Sequence, residues 1–310
     1  MSDKQPEIET QAALSIRLPI TRAVLIGGLI GALLSVLLSD FAHRTVFDTW
    51  QRQSPREIGM DNVAVVLVDD VSVKDLGAWP WSRYTVARLI DNIGAAKPAA
   101  IGIDVYFSEP DPLRPDAFAG LYEPSELDDP TRQAILALPQ WDAILSRVLG
   151  QDPVVLARAA TQEEAAAPEN LFFNSTIEGT APAGVIRGDR VIASIPALDD
   201  NVLSHGMVNG PPDADGVVRR VPLGVQVAET SAPGFALELA RIASGSESLK
   251  WDGDALFMDG TRIPTDGDGR MLFKMGYYPN PAIYPAAAVA LGQIPAEAFE
   301  GKVVLVGVGA

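Results

Sequence analysis

The chain has 310 residues, enough for one large domain or two smaller ones with a proper core. Forty acidic residues against twenty-four basic ones give a net charge of -16 and a pI near 4.5, a balance that repels nucleic acid and anionic lipid and so excludes a DNA- or RNA-binding role. The absence of cysteine excludes disulfides, thiolate metal sites and a cysteine nucleophile, and only His43 and His205 are available to a zinc site or a serine triad.

Residues 23–38 read AVLIGGLIGALLSVLL and carry no charge. Sixteen helical residues span roughly 24 Å, and extension over Leu18–Thr21, with Arg22 snorkelling, and over Phe41 and Ala42 covers the ~30 Å hydrocarbon core. A signal peptide is the alternative, but Ser39-Asp40-Phe41 offers no small-x-small cleavage site, so an uncleaved anchor over residues 18–40 is the expectation. Lys4, Arg17 and Arg22 before the span balance Arg44, Arg52 and Arg56 after it, so charge does not orient it. Phe41, Val46, Phe47 and Trp50 then give one apolar face to a helix continuing out of the membrane, which Pro55 ends.

Val63–Val68 is a continuous apolar run with four valines, the pattern of a strand buried on both faces. Ser82 is placed to cap a helix to about Lys97, with Val86, Leu89, Ile90 and Ile93 on one face. Ala99–Phe107, AAIGIDVYF, is a second buried strand, making a βαβ unit. Residues 108–135, rich in Pro, Asp and Glu, read as an irregular solvated insertion. A helix over 140–149 and a strand over 153–157 follow; residues 185–192 read as a hairpin turning at Gly188-Asp189. Strand 216–223, helix 235–243, a β-meander over 250–274 and a helix over 285–291 complete the series. The whole is α/β: a three-layer-like mixed sheet with flanking helices and β-hairpin extensions, preceded by one transmembrane helix. Val303–Val308 is a strand core at the very end, which reads as a chain cut where a new loop begins.

Asp69 and Asp70 end the first strand and Asp104 lies near the end of the second, where ligands bind in open α/β sheets. The three carboxylates suit Mg²⁺ and a metal-dependent hydrolase, or else simple loop and helix capping. No phosphate loop, nucleophile elbow or H-E-x-x-H accompanies them. Trp79-Pro80-Trp81-Ser82-Arg83 offers two stiff indoles and a guanidinium, either a ligand wall with an anion clamp or a plug on the core that fixes the helix start. Asp213-Ala214-Asp215-Gly216 and Asp266-Gly267-Asp268-Gly269 lack the remaining ligands of a calcium loop and read as tight turns. Gly307-Val308-Gly309 is a weak dinucleotide-loop signal.

Together the N-terminal anchor, FDTWQR at 47–52, VVLVDDVSVKDLGAWPWSR at 65–83, IGIDVYFSEPD at 101–111, GPPDADGVVRRVPL at 210–223, the helix from Phe235 and the closing GKVVLVGVGA resemble the second CHASE family, sensory extracellular domains associated with cyclases and histidine kinases. The resemblance implies residues 1–17 inside the cell, an anchor over 18–40, and an extracytoplasmic sensor over 41–310 in a bacterial cell membrane. It further implies a cytoplasmic cyclase or kinase output beyond the chain. Asp69, Asp70, Trp79, Trp81, Arg83 and Asp104 are the ligand-binding candidates; no catalytic residue, metal or cofactor is assigned. A small-molecule or protein stimulus and a homodimer are expected as partners. A structural dimerisation or partner-binding module is the remaining alternative.

Overall fold

The computed structural model describes residues 24–25, 27–28, 31, 42, 44–54, 56–57, 61–123, 125–162, 172–274, 276–277 and 282–309. It divides into two units, Met1–Glu57 with Met275–Tyr277, and Ile58–Lys274 with Tyr278–Ala310. In the first unit, residues 44–53 are helical, with the Phe47 and Trp50 rings 6.4 Å apart, and Arg56–Glu57 pairs in parallel with Gly276–Tyr277. The expected anchor over 18–40 lies almost wholly outside the described residues; Val24, Leu25, Gly27, Gly28 and Gly31 within it are helical. Among the described residues, no helix is long and apolar enough to cross a membrane.

The second unit is organised by one sheet. Its strands are β1 (Val63–Val68), β2 (Ala100–Ile103), β3 (Val154–Thr161), β4 (Arg190–Ile192), β5 (Ser204–Met207), β6 (Ile283–Pro285) and β7 (Val303–Val308). They lie in the order β6-β1-β7-β2-β3-β5, all parallel, and β4 pairs antiparallel with the far end of β3. The valine-rich run of β1 lies inside the sheet as the sequence requires, and β7 is central: Val308 registers with Val68 and Val306 with Ile103. The two strands of the expected βαβ unit are therefore not neighbours, because the final strand inserts between them. Alternation along the strands divides the core. Ala64, Val66, Val68, Ile101, Ile103, Val154, Leu156, Val304 and Val306 enter the main hydrophobic cluster, while Ala100, Val155, Val303 and Leu305 face the other way.

Six helices matter for the site: α1 (Asp70–Leu76), α2 (Arg83–Gly94), α3 (Trp141–Leu149), α4 (Pro196–Asp199), α5 (Phe235–Ser244) and α6 (Ala286–Ala290). Val86, Leu89, Ile90 and Ile93 put the apolar stripe of α2 into the main cluster, each fully buried side chain contributing roughly 1.5–3 kcal/mol. Helix α2 packs between α3 and α6 on this face. The opposite face is covered by α5 through Phe235, Leu239 and Ile242. Helices on both faces make the three layers expected from the sequence. Val63, Val65 and Leu67 of β1 are only half-buried on the α5 side.

Helix α5 lies this close because the strands beneath it carry glycine. A methyl added at Gly206 would sit 2.5 Å from Cα of Phe235, a backbone atom with no room to yield. Gly206→Ala is expected to cost about 1–3 kcal/mol in urea unfolding. Gly307→Ala, where a methyl meets nothing within 4 Å, should stay within about 0.5 kcal/mol.

Three local expectations change. The second strand is shorter than 99–107, because the chain leaves the sheet at Asp104. Residues 186–188 and 190–192 do not pair as a hairpin: the first joins Gly224–Val227 and the second joins β3. The insertion of 108–135 is not irregular throughout; it holds helices Pro115–Gly120 and Asp129–Leu136, the second capped by Asp128 on the Thr131 amide at 2.9 Å. The meander is present as Leu249–Asp252, Ala255–Met258 and Thr261–Pro264 over a small core of Trp251, Leu223 and Leu256, while Arg270–Leu272 leaves it to pair with Arg220–Pro222.

Candidate functional site

At the end of β1 the two aspartates part company. Asp69 is the N-cap of α1, accepting from the Ser72 amide at 2.8 Å, and Asp70 is the exposed first residue of that helix. The Ser72 hydrogen bonds hold the Asp69 carboxyl below the usual carboxylate range. Ser72 is itself buried and accepts from the Ala287 amide at 3.0 Å, which ties α1 to α6.

Asp104 follows β2, its amide bonded to Val306 O at 2.9 Å. Partial desolvation pushes its carboxyl up, and desolvation together with the Asp104 charge pushes the Tyr106 phenol up. Strand β7 runs between Asp69 and Asp104, which sets them two strand spacings apart, roughly 9–10 Å across the sheet. Among the described residues no group of three or more His, Asp or Glu is placed to hold a metal ion. The glycines of Gly307-Val308-Gly309 occupy the gap, with the Gly309 amide on Val68 O at 3.1 Å.

Trp79, Trp81 and Arg83 do come together, around the start of α2. Trp79 and Trp81 meet edge to face at 5.4 Å and 74°, with a cis bond between Trp79 and Pro80. Trp81 is buried in the main cluster and donates its indole N–H to Gly77 O at 2.9 Å; Gly77 has φ +92°, a conformation only glycine takes easily. Ser82 caps α2 through the Thr85 amide at 3.3 Å.

Arg83 is buried, stacked 4.5 Å over the Phe107 ring, donating Nη2 to Glu109 O at 3.0 Å and lying 3.5 Å through Nε from Asp142 Oδ1 on α3. Its backbone amide bonds Asp111 Oδ2 at 2.5 Å, and the Asp111 amide bonds Asp142 Oδ2 at 3.1 Å. Burial lowers the Arg83 pKa while Asp111 and Asp142 push it back. Beside this node runs a groove of about 880 Å³, lined by Asp142, Ser146 and Arg147 of α3 together with Arg114 and Asn201. It presents both charge signs and amide and hydroxyl groups, chemistry suited to a small polar or zwitterionic molecule.

Two polar clusters bring together residues that the sequence reading leaves apart. Arg158 of β3 is fully buried and paired through Nη2 with Asp199 of α4, while His205 Nε2 of β5 lies 3.2 Å from Asp199 Oδ1. Burial pushes Asp199 up, but hydrogen bonds and charge from His205 and Arg158 outweigh it and hold the carboxyl below its ordinary value. Neighbouring strand residues point oppositely, so Ser204 turns away from His205 and donates to Glu238 on α5 at 2.6 Å. A serine triad is not assembled there. The lone arginine in V-V-L-A-R-A-A and the scarce His205 are the traces of this cluster in the sequence.

The second cluster joins the two D-x-D-G turns. Arg219 bonds Asp213 at 2.9 Å and Asp215 at 2.8 Å; Arg220 spans Asp213 at 3.3 Å and Asp266 at 3.2 Å; Arg270 pairs with Asp266 and Asp268. The Arg219 hydrogen bond above all pulls Asp215 well below the carboxylate range. The carboxylates are spent on arginines, and both turns clamp Arg220–Pro222 to Arg270–Leu272.

The family model of the CHASE2 domain matches residues 23–310. No curated protein and no solved structure matches the chain. The match spans the β1 turn, the Trp-Pro-Trp segment, the arginine node and the central last strand, and so the chain belongs to the CHASE2 family of extracellular sensory domains of signalling receptors.

Proposed function

We propose that the chain is the sensing part of a transmembrane receptor, with residues 1–17 cytoplasmic, 18–40 anchoring it in a bacterial inner membrane, and 41–310 extracytoplasmic. A stimulus bound at the carboxyl edge of the sheet and in the adjoining groove shifts a two-state arrangement of the domain, which acts on a cytoplasmic cyclase or kinase. The observation that carries this reading is the Arg83 node. Asp142 faces the groove, Arg83 touches Asp142, and Arg83 opens α2 directly after the edge-to-face Trp79–Trp81 pair that packs on the core. Occupation of the groove thus bears on the helix that packs under the sheet. Asp69, Asp70 and Asp104 supply the polar rim of that edge.

The chain has no cysteine, which makes orientation easy to test. Ser125→Cys should react with a membrane-impermeant maleimide on intact spheroplasts, and Ser2→Cys only after lysis; the reverse pattern refutes the topology. For the ligand, a thermal-shift screen of polar metabolites on the membrane-embedded chain should find a stabilising compound whose effect is lost in Arg147→Ala. A screen without any shift, combined with self-association of the chain, favours the dimerisation module instead.

A further inference from the structure

The insertion after β2 leaves apolar side chains on the outside. Leu121 is 76% exposed, Leu138 52% and Leu113 51%, and Phe118, Tyr122 and Leu136 are also exposed. Helix Asp129–Leu136 buries no residue at all. The segment is nonetheless built rather than loose: Arg132 reaches across from this helix to donate to Ala119 O at 2.6 Å, Tyr122 O at 2.9 Å and Glu123 O at 3.3 Å. Phe118 and Tyr122 stack edge to face at 5.5 Å. An ordered segment that shows six large apolar side chains to water, Phe118 and Leu136 on its two helices and Leu113, Leu121, Tyr122 and Leu138 on the residues flanking them, marks an interaction surface.

Its charge selects the partner. Residues 109–138 hold seven acidic side chains against two arginines; Asp111 is buried, and Glu109, Asp116, Glu123, Glu126, Asp128 and Asp129 are exposed. Arg132 is engaged by the carbonyls named above, and the half-exposed Arg114 pairs with Asp116 at 3.0 Å, which leaves Glu109, Glu123, Glu126, Asp128 and Asp129 as the acidic excess on this surface. A second copy docked patch to patch would set this excess against itself, on a chain that already carries -16. Anionic lipid is repelled for the same reason. A partner that is basic and apolar on one face gains both burial and attraction. We propose that the segment of residues 113–138 docks a basic amphipathic polypeptide, whose apolar residues at helical spacing cover Leu121, Leu138 and their neighbours. Asp111 at the base of the segment is fully buried and holds the Arg83 amide, so docking bears on the Arg83 node; this consequence rests on the sensing reading, whereas the docking itself does not.

The test uses the full chain in nanodiscs of zwitterionic lipid and a fluorescent 18-residue peptide of leucine and lysine with its leucines on one helical face. Comparators are the same composition in scrambled order and a leucine–glutamate version. The amphipathic basic peptide should bind, tenfold or more tightly than either comparator, and more weakly as salt rises. Leu121→Asp with Leu138→Asp should weaken binding at least tenfold without moving the thermal midpoint, since both side chains are exposed. Glu123→Lys with Glu126→Lys should weaken it and flatten the salt dependence. Equal binding of the scrambled peptide, unchanged binding to the leucine variants, or no binding overturns the proposal. So does peptide-free self-association that the leucine variants abolish, which would assign the patch to a second copy. The cysteine-labelling pattern judges the sensing reading separately, so either can fail while the other stands.

Discussion

Asp199→Ala is expected to remove about 3–5 kcal/mol of stability, a large part of what a domain possesses. The substitution leaves the Arg158 guanidinium buried without a counter-charge. It also takes away the carboxylate that lies 3.2 Å from His205 Nε2. Among the described residues, Arg158 then keeps its hydrogen bond to Phe172 O at 2.5 Å and the Phe172 and Phe173 rings at 5.7 and 5.3 Å, which do not neutralise it. Urea unfolding at neutral pH measures the loss. The paired change Arg158→Met with Asp199→Leu should recover most of it, because two apolar side chains of similar volume avoid the desolvation that the ion pair offsets. A double variant as unstable as Asp199→Ala would show that the cluster acts through something other than the pair.

The same carboxylate gives the domain an acid limit. Asp199 titrates lower in the folded chain than in the unfolded one. At pH values around and below the ordinary aspartate pKa of about 3.9, the unfolded state therefore binds the proton first. The stabilisation is fully present above that value and is lost as pH falls through the lower folded one. Stability measured from pH 7 down to pH 3 should fall more steeply for the native chain than for the apolar double variant.

Asp111→Ala is the second large effect, expected at about 2–4 kcal/mol. Asp111 is fully buried and accepts from the Arg83 amide at 2.5 Å and the Leu113 amide at 2.8 Å. Alanine leaves both donors without a partner, and removes one of the two carboxylates that compensate the buried Arg83. Because Asp111 roots the segment beside Asp142, the loss should be local as well as global. Limited proteolysis should cut within residues 112–138 faster in the variant, at a protease level where the native segment survives. Uniform destabilisation without preferential cutting would mean that the segment is held by its own Arg132 contacts alone.

Much of this fold is legible in the order of its residues. The valines of Val63–Val68 and the stripe of Val86, Leu89, Ile90 and Ile93 are patterns that burial alone explains, and both lie where their periodicity puts them. Ser82 caps α2 as its position ahead of that stripe suggests. The aspartates of the β1 turn are harder. D-D admits both a metal site and a cap, and only the insertion of β7 between β1 and β2 decides how far Asp104 stands from Asp69. The same holds for Arg83: an arginine after W-P-W-S looks free to clamp an anion, yet Asp142, fifty-nine positions later, comes to lie against it.

Sequence by itself determined the alternation of buried strands and amphipathic helices, the family, and the acidity that governs which partners are tolerated, because these depend on composition and local period. Tertiary structure alone decided which charges cancel. The Arg158–Asp199–His205 cluster, the arginine clasp of the two D-x-D-G turns and the Arg83 node each unite residues from separate elements, and electrostatic energy falls with a spatial distance that sequence spacing does not encode.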